Sequence, residues 1–255
     1  MDARSLAMVV QGISHGAAAQ RAAGEASAAD FAICNAQELA KLASAVKQAS
    51  LSPERPEQAA MLLSSFVRLR RTDDSELAGH LFDHMHRTLP KWGARELAAF
   101  ANGVSDLRSR VRASVGGEHW GRVALRCAEV LPRADPRDLT LLACALYQVN
   151  ASPESVAVFY DALEDLLTSR PQVNDFFAAR DLCMVAHSLA RHRHPGRPTL
   201  EEASAGAASA EPFTTWPFEE YVPRRFRDLD VGCLACLLFA AVRLRRGGSH
   251  LFEAT

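Results

Sequence analysis

The sequence predicts an all-α protein, an α-solenoid of stacked antiparallel helix pairs in which residues 1–255 form a single repeat array. Three observations predict this fold. One segment pattern occurs seven times, each copy carries an apolar stripe of helical period, and amphipathic segments lie between most copies. Strand-type alternation of apolar and polar residues is absent from the sequence. Repeats of this kind bury their apolar faces against one another.

The seven copies align on one apolar residue, which we call repeat position 0. Positions 0, 3, 4 and 7 form one apolar helical stripe, and position 6 carries a small residue in every copy, such as Gly103. Because glycine inside a helix costs about 1 kcal/mol relative to alanine, we predict that a neighbouring helix passes close to position 6. The residues at position 0 are Leu6, Leu39, Ala59, Leu97, Leu139, Leu182 and Leu234.

Helix starts are marked by capping residues. An acidic or amide residue stands directly before position 0 in most copies, at capping-box spacing from the predicted N-cap. Pro56 and Pro136 fall at the first helical position, where a missing N–H group has no intrahelical partner to lose. The predicted N-cap residues are Asp2, Asn35, Gly93, Asp135 and Asp230.

Along the chain, the first copy occupies residues 2–15, and the alanine-rich segment that follows is compatible with a helix or a linker. The second and third copies start only 20 residues apart, so one of them must act as the partner helix of the other. Apolar periodicity predicts partner helices at 75–89, 118–131, 152–168 and 216–226, and it assigns Leu125 to the apolar face of the second. The segments predicted to be flexible or inserted are 16–30 and 195–212.

Composition limits the possible functions. The formal net charge is −1, which argues against a uniformly basic nucleic-acid binder but allows a local basic patch. The chain has no apolar run long enough to span a membrane, so we expect no membrane association. We find no nucleophile–base set, P-loop or paired-carboxylate signature. The prediction is therefore a protein that is not an enzyme and takes no small-molecule substrate.

The cysteines and histidines predict no metal site and no cofactor. The six cysteines occupy helix positions that alanine or leucine fills in other copies, so we expect reduced core thiols. Cys233 and Cys236 form a CxxC pair, but no second pair stands nearby at zinc-site spacing. The HxH pairs, one of them His84 and His86, would share a face only in a strand. His187 is predicted to be a hydrogen-bonded core residue.

Arginines recur near the ends of the repeated helices. If the helices stack in parallel, these side chains form a ladder along one edge, and guanidinium groups bind phosphate oxygens bidentately. The alternative is that they only compensate helix dipoles and lie in solvent. Trp92, Trp120 and Trp216 are predicted to be core residues of partner helices rather than base-stacking platforms. The candidate RNA-binding residues are Arg68, Arg70, Arg71, Arg108, Arg110, Arg191, Arg193, Arg243, Arg245 and Arg246.

Two stretches carry a family resemblance: Asn35-Ala36-Gln37-Glu38-Leu39-Ala40-Lys41-Leu42-Ala43-Ser44-Ala45 and Arg95-Glu96-Leu97-Ala98-Ala99-Phe100-Ala101. Their pattern resembles the octotricopeptide and heptatricopeptide repeats of organellar RNA-binding proteins. The resemblance implies an α-solenoid that binds RNA in mitochondria or plastids, in some cases as a subunit of a mitochondrial ribosome. Nothing in the chain matches the RAP domain that many members carry, so nuclease activity is not implied.

Two functions from different classes follow. The first is a structural subunit of a mitochondrial ribosome that binds ribosomal RNA through the basic edge and contacts neighbouring protein subunits. The arginines and the resemblance favour it. The second is a protein–protein scaffold in an organellar complex without direct RNA contact, which the near-neutral charge favours. A mitochondrial location is expected, with another organelle or the cytosol as the alternative.

Overall fold

A computed structural model describes residues 2–22, 36–69, 74–115, 119–149, 151, 153–169, 177–193 and 229–244. Within these ranges the protein is all-α, with eleven α-helices and no strand. The segment 195–212, the predicted helix 216–226 with Trp216, and the later part of 16–30 lie outside them.

From α2 to α10 the helices follow one another with connections of at most nine residues, and single 3₁₀ turns at Leu89–Lys91 and Leu131–Arg133 end two of them. No helix in the described part of the chain has the length and apolar character needed to cross a membrane. The helices are α1 Ala3–Ala22, α2 Ala36–Gln48, α3 Pro56–Arg68, α4 Ser75–Thr88, α5 Ala94–Ser105, α6 Ser109–Ser114, α7 Trp120–Val130, α8 Pro136–Gln148, α9 Pro153–Ser169, α10 Ala179–Arg193 and α11 Val231–Leu244.

The helices form two layers. One, which we call the repeat layer, consists of α1, α3, α5, α8, α10 and α11, each packed against the next in this order. The other, the partner layer, contains α2, α4, α7 and α9, with the short α6 against α4. Contacts between the layers join α1 to α2, α3 to α4, α5 to α7 and α9 to α10. The predicted stack of helix pairs is confirmed.

Contacts between like repeat positions show that the repeat-layer helices run parallel. His15 and Arg68, both at position 9, lie side by side on α1 and α3, with 3.1 Å between Nε2 and Nη1. Tyr147 at position 8 of α8 likewise accepts a 2.7 Å hydrogen bond from Nε of Arg191 at position 9 of α10. Antiparallel neighbours would set these C-terminal positions against the start of the next helix instead. The parallel arrangement on which the arginine ladder depends is therefore present.

The small residue at position 6 allows close helix packing. A Cβ atom built on Gly103 of α5 would lie 3.0 Å from Cγ of Leu63, which stands at position 4 of α3. Ser188, at position 6 of α10, likewise approaches Cys144 of α8, with 3.6 Å between Oγ and Sγ. Position 6 thus faces the preceding repeat helix, and the predicted close approach is confirmed at these two residues.

The predicted helix starts agree with the structure wherever they are described. Proline opens α3 and α8 at Pro56 and Pro136. Asp2 and Asp230 accept hydrogen bonds from the backbone N–H groups of Ser5 and Cys233, each at 2.7 Å. These caps satisfy N–H groups that have no partner within the helix.

The first two copies differ from the prediction. Helix α1 continues to Ala22, because the alanine-rich sequence after Gly16 extends it, so 16–22 are helical rather than flexible or inserted. The second copy is α2, which lies in the partner layer. Its partner across the layers is α1, not the third copy, since α1 and α2 form the first pair of the stack.

The two largest core side chains belong to α7, which begins at Trp120, and to the connection after α4, where Trp92 follows the 3₁₀ turn. Trp92 and Trp120 are fully buried, which confirms that they belong to the core and leaves no ring face available for a base. Trp120 packs on Phe82 of α4 with ring centroids 5.3 Å apart. Leu125, assigned from the sequence to the apolar face of α7, is 51% exposed, so that assignment was wrong. The helix turns this residue away from the stripe formed by Trp120, Val123 and Cys127.

Candidate nucleic-acid interface

The candidate arginines lie mainly at the C-terminal ends of repeat-layer helices. Arg68 is the last residue of α3, Arg191 and Arg193 lie in the last turn of α10, and Arg243 lies in the last turn of α11. Only the backbone of Arg193 is described. Arg70, Arg71, Arg245 and Arg246 lie outside the described residues.

Arg191 and Arg243 share one aromatic ring. Their guanidinium carbons lie 5.7 Å and 5.3 Å from the ring centroid of Phe239 on α11. Arg191 also lies 5.1 Å from the ring centroid of Tyr147 on α8, and its Nε donates a 2.7 Å hydrogen bond to the tyrosine hydroxyl. His187 contacts the same phenylalanine. We call Tyr147, His187, Arg191, Phe239 and Arg243 the guanidinium–aromatic cluster.

The repeat pattern explains why three helices meet in this cluster. Tyr147 stands at position 8 of α8, Arg191 at position 9 of α10 and Phe239 at position 5 of α11. In a parallel stack, positions 5, 8 and 9 lie on one strip of the helix surface, since they are three and four residues apart. Neighbouring helices therefore bring these side chains to the same side of the stack, within about one helical turn of each other.

The guanidinium–aromatic cluster carries two positive charges, those of Arg191 and Arg243. Burial, followed by the positive charge of Arg191, lowers the pKa of His187, so its imidazole is neutral near pH 7. Both arginines are half-buried, which fixes the planes of the guanidinium groups against the rings. A guanidinium has five N–H donors, and Tyr147 accepts from only one of those on Arg191.

Chemically, this arrangement suits an anionic ligand with planar groups. Guanidinium donors bind phosphate oxygens in a fork, and guanidinium or aromatic faces can stack on a base. Stacking on Phe239 and Tyr147 restricts both arginines before any ligand arrives, so less side-chain entropy is lost on binding.

The same repeat position is not basic along the whole stack. Asp106 of α5 and Gln148 of α8 occupy position 9 between Arg68 and Arg191, and both are exposed. The described position-9 arginines therefore form two groups: Arg68 beside His15 at the α1 and α3 end, and the guanidinium–aromatic cluster at the α10 and α11 end. The part of the edge between them is acidic or neutral.

Arg108 and Arg110 belong to a different element. Arg108 is the N-cap residue of α6 and Arg110 lies within that helix, and both are exposed. Arg112 attaches α6 to the end of α5 by donating to the backbone carbonyl of Ser105. Because α6 packs against α4, this pair is associated with the partner layer.

Sequence reasoning had not singled out Tyr147 and Phe239. The available signal was their repeat position: each stands on the same helix strip as the arginine of the neighbouring copy. Aromatic residues are rare among these copies at positions 5 and 8, which otherwise hold small, polar or aliphatic side chains. Comparing the copies column by column would have shown both.

The described residues contain no group of three or more histidine, cysteine or acidic side chains that could hold a metal ion. The five cysteines among them are free thiols. Burial raises the pKa of Cys127 to about 12 and that of Cys183 further, so both are protonated core residues. Comparison with known protein families, with curated proteins and with solved structures gives no match for this chain.

Proposed function

We propose that the protein is an RNA-associated helical-repeat protein, most concretely a structural subunit of a mitochondrial ribosome that binds ribosomal RNA through its basic edge. The observation that carries the proposal is the placement of Arg191 and Arg243 on the ring of Phe239, next to Tyr147. The role is binding rather than catalysis, and neighbouring protein subunits are further partners.

The geometry of the cluster favours RNA over a general anion. Two half-buried guanidinium groups beside aromatic rings match a sugar–phosphate backbone whose bases are unstacked, as in loops and single-stranded segments. A compact anion such as free phosphate would use the charges but not the rings. The spacing of position 0 along the repeat layer is unequal, from 38 residues between Ala59 and Leu97 to 53 between Leu6 and Ala59, which favours anchoring on folded RNA over one base per repeat.

A protein–protein scaffold is the second candidate function. It is favoured by the formal net charge of −1 and by the interruption of the basic edge at Asp106 and Gln148. Under this function the cluster would stabilise the α8–α10–α11 contact, and the arginines would compensate helix dipoles.

RNA binding is tested with the double variant Arg191→Gln and Arg243→Gln. The matched control, Arg95→Gln with Arg137→Gln, removes two exposed arginines at the N-terminal ends of α5 and α8. We expect the cluster variant to lower affinity for single-stranded RNA about tenfold or more and to reduce the slope of log K against log salt by about 1.4, since two phosphate contacts are lost. Equal affinities for both variants and the parent would favour the scaffold.

The ribosomal assignment needs a separate experiment in the native cell. The protein is isolated at low salt, with and without nuclease, and its sedimentation and RNA content are measured. Co-sedimentation with a large particle that nuclease dismantles is the expected result. A small complex that survives nuclease would contradict the ribosomal assignment and favour the scaffold.

A further inference from the structure

Helix α1 has an open face. Met8 at position 2 is 60% exposed and Val9 at position 3 is 41% exposed, and Gly12 at position 6 is also exposed. In the later repeat-layer helices the residue at position 3 is almost fully buried. These buried counterparts are Leu62, Phe100, Leu142, Val185 and Leu237. Because position 6 faces the preceding helix in α5 and α10, the exposed side of α1 is the side on which a preceding helix would pack.

Helix α11 also has an open face, on the side where a following repeat-layer helix would pack. Val242 at position 8 is 66% exposed, Ala235 at position 1 is exposed, and Leu238 at position 4 is half-buried. On α5 the residues at positions 1, 4 and 8 are buried, and position 4 of α3, Leu63, faces the following repeat helix at Gly103. The three residues of α5 are Ala98, Ala101 and Ser105. The exposed side of α11 therefore corresponds to the side of α3 that packs against the next repeat-layer helix, α5.

The interior of the stack shows how two such faces fit. Leu63, at position 4 of α3, fills the space left by Gly103, at position 6 of α5, with 3.0 Å between Cγ and the place of a Cβ. The same register across two molecules would set Leu238 of one against Gly12 of the other. No heavy atom of the described residues would lie within 4 Å of a Cβ on Gly12, so they leave this space open.

We propose that two copies of this chain associate head to tail, with the α11 face of one packed on the α1 face of the next. We choose a second copy as the partner because the chain carries both complementary faces. Its α11 face corresponds to the side that a repeat-layer helix turns to the next helix, and its α1 face corresponds to the side that the next helix turns back. The faces are apolar, so their association is driven by burial of Met8, Val9 and Val242. Since the two surfaces differ, the contact is heterologous and each dimer keeps one open face at either end.

Two single variants test the contact. Val9→Glu places a charge on the α1 face and Val242→Glu places one on the α11 face, and both residues are exposed, so the fold is retained, as circular dichroism will verify. We expect the parent chain to increase in mass with concentration in analytical ultracentrifugation. The association constant of each variant alone should be lower than that of the parent by about tenfold or more.

Mixing the two variants is the decisive measurement. The intact α11 face of the Val9→Glu chain can bind the intact α1 face of the Val242→Glu chain, so the mixture should form a dimer that grows no further. Leu125→Glu, at a 51% exposed leucine of the partner layer, is the control and should assemble like the parent. A parent chain that stays monomeric at every concentration overturns the proposal. So does a mixture without dimer, or a Val242→Glu chain that self-associates as strongly as the parent.

Discussion

Cγ of Leu63 lies 3.0 Å from the place where a Cβ of residue 103 would be, so α3 and α5 approach as closely as a glycine permits. Leu63 itself is 2% exposed and cannot move into solvent. The helix therefore keeps glycine at an interior position where alanine has the better helix propensity, because packing outweighs propensity there.

Gly103→Ala is expected to lower the free energy of unfolding by about 1–2 kcal/mol, since the added methyl group overpacks the Leu63 contact. Gly12→Ala is the matched control, as it lies in a helix at the same repeat position with open space around it. Without a steric clash, only the better helix propensity of alanine matters at this position, so the free energy of unfolding should rise by up to about 1 kcal/mol. Urea denaturation of both variants checks the prediction, and a stabilised Gly103→Ala chain would contradict it.

The cap of α4 gives a second prediction. The carboxylate of Asp74 accepts a 3.0 Å hydrogen bond from the backbone N–H of Leu77. Asp74→Ala should therefore cost about 1 kcal/mol of stability. Asp135 occupies the same cap position on α8 without a side-chain cap bond, so Asp135→Ala should cost clearly less. Thermal denaturation of the two variants measures the difference, and equal losses would show that the Asp74 bond contributes nothing.

Two histidines on α4 predict acid sensitivity. Nε2 of His80 and of His84 is buried without a hydrogen-bond partner in the described structure. Burial is the largest cause that lowers the pKa of each, and the positive charge of Arg87 lowers it further. The unfolded chain, with an ordinary histidine pKa, then binds protons more readily than the folded chain. Stability should be full above about pH 6.5 and fall as the pH drops below it.

His84→Gln removes one of these titrating groups and should flatten the dependence of stability on pH. The measurement is urea denaturation of parent and variant near pH 7.5 and near pH 5.5, a range that brackets the ordinary histidine pKa of about 6.5. An unchanged difference between the two pH values would mean that His84 does not contribute.

Thiol reactivity should differ between cysteines. Burial raises the pKa of Cys127 to about 12 and leaves the thiol without solvent contact, so the reactive thiolate is scarce. Cys236 on α11 is half-buried. Mass spectrometry after brief alkylation of the folded protein should therefore find Cys236 modified before Cys127, while denaturant removes the difference. Early labelling of Cys127 would indicate that α7 opens readily.

The sequence predicted the parts of the fold that follow from periodicity and capping. The apolar stripe placed Leu97, Phe100 and Val104 in the core, and the prolines placed the starts of α3 and α8. The layer of α2 was not predictable from its pattern, because its copy of the repeat is equally compatible with either layer. Only the packing of α1 on both α2 and α3 decides this.

The candidate site was predicted less completely. Arginines at helix ends can be recognised in the sequence. Which side chains of neighbouring helices lie beside them depends on how the helices stack. Arg191 meets Tyr147 and Phe239, which are 44 and 48 residues away along the chain. The sequence also shows Asp106 at position 9. That it interrupts the basic edge follows only from the structure, in which position 9 of successive helices lies on the same side.

The two-layer order also has a thermodynamic consequence. Each repeat-layer helix packs mainly on the helix before it and the helix after it, so stability is close to a sum of unit and nearest-neighbour terms. Among the described helices of the repeat layer, α5 and α8 have neighbours on both sides, whereas α1 and α11 have one. Opening should therefore begin at the ends and advance inward, and amide hydrogen exchange should slow progressively from α1 and from α11 towards α5 and α8.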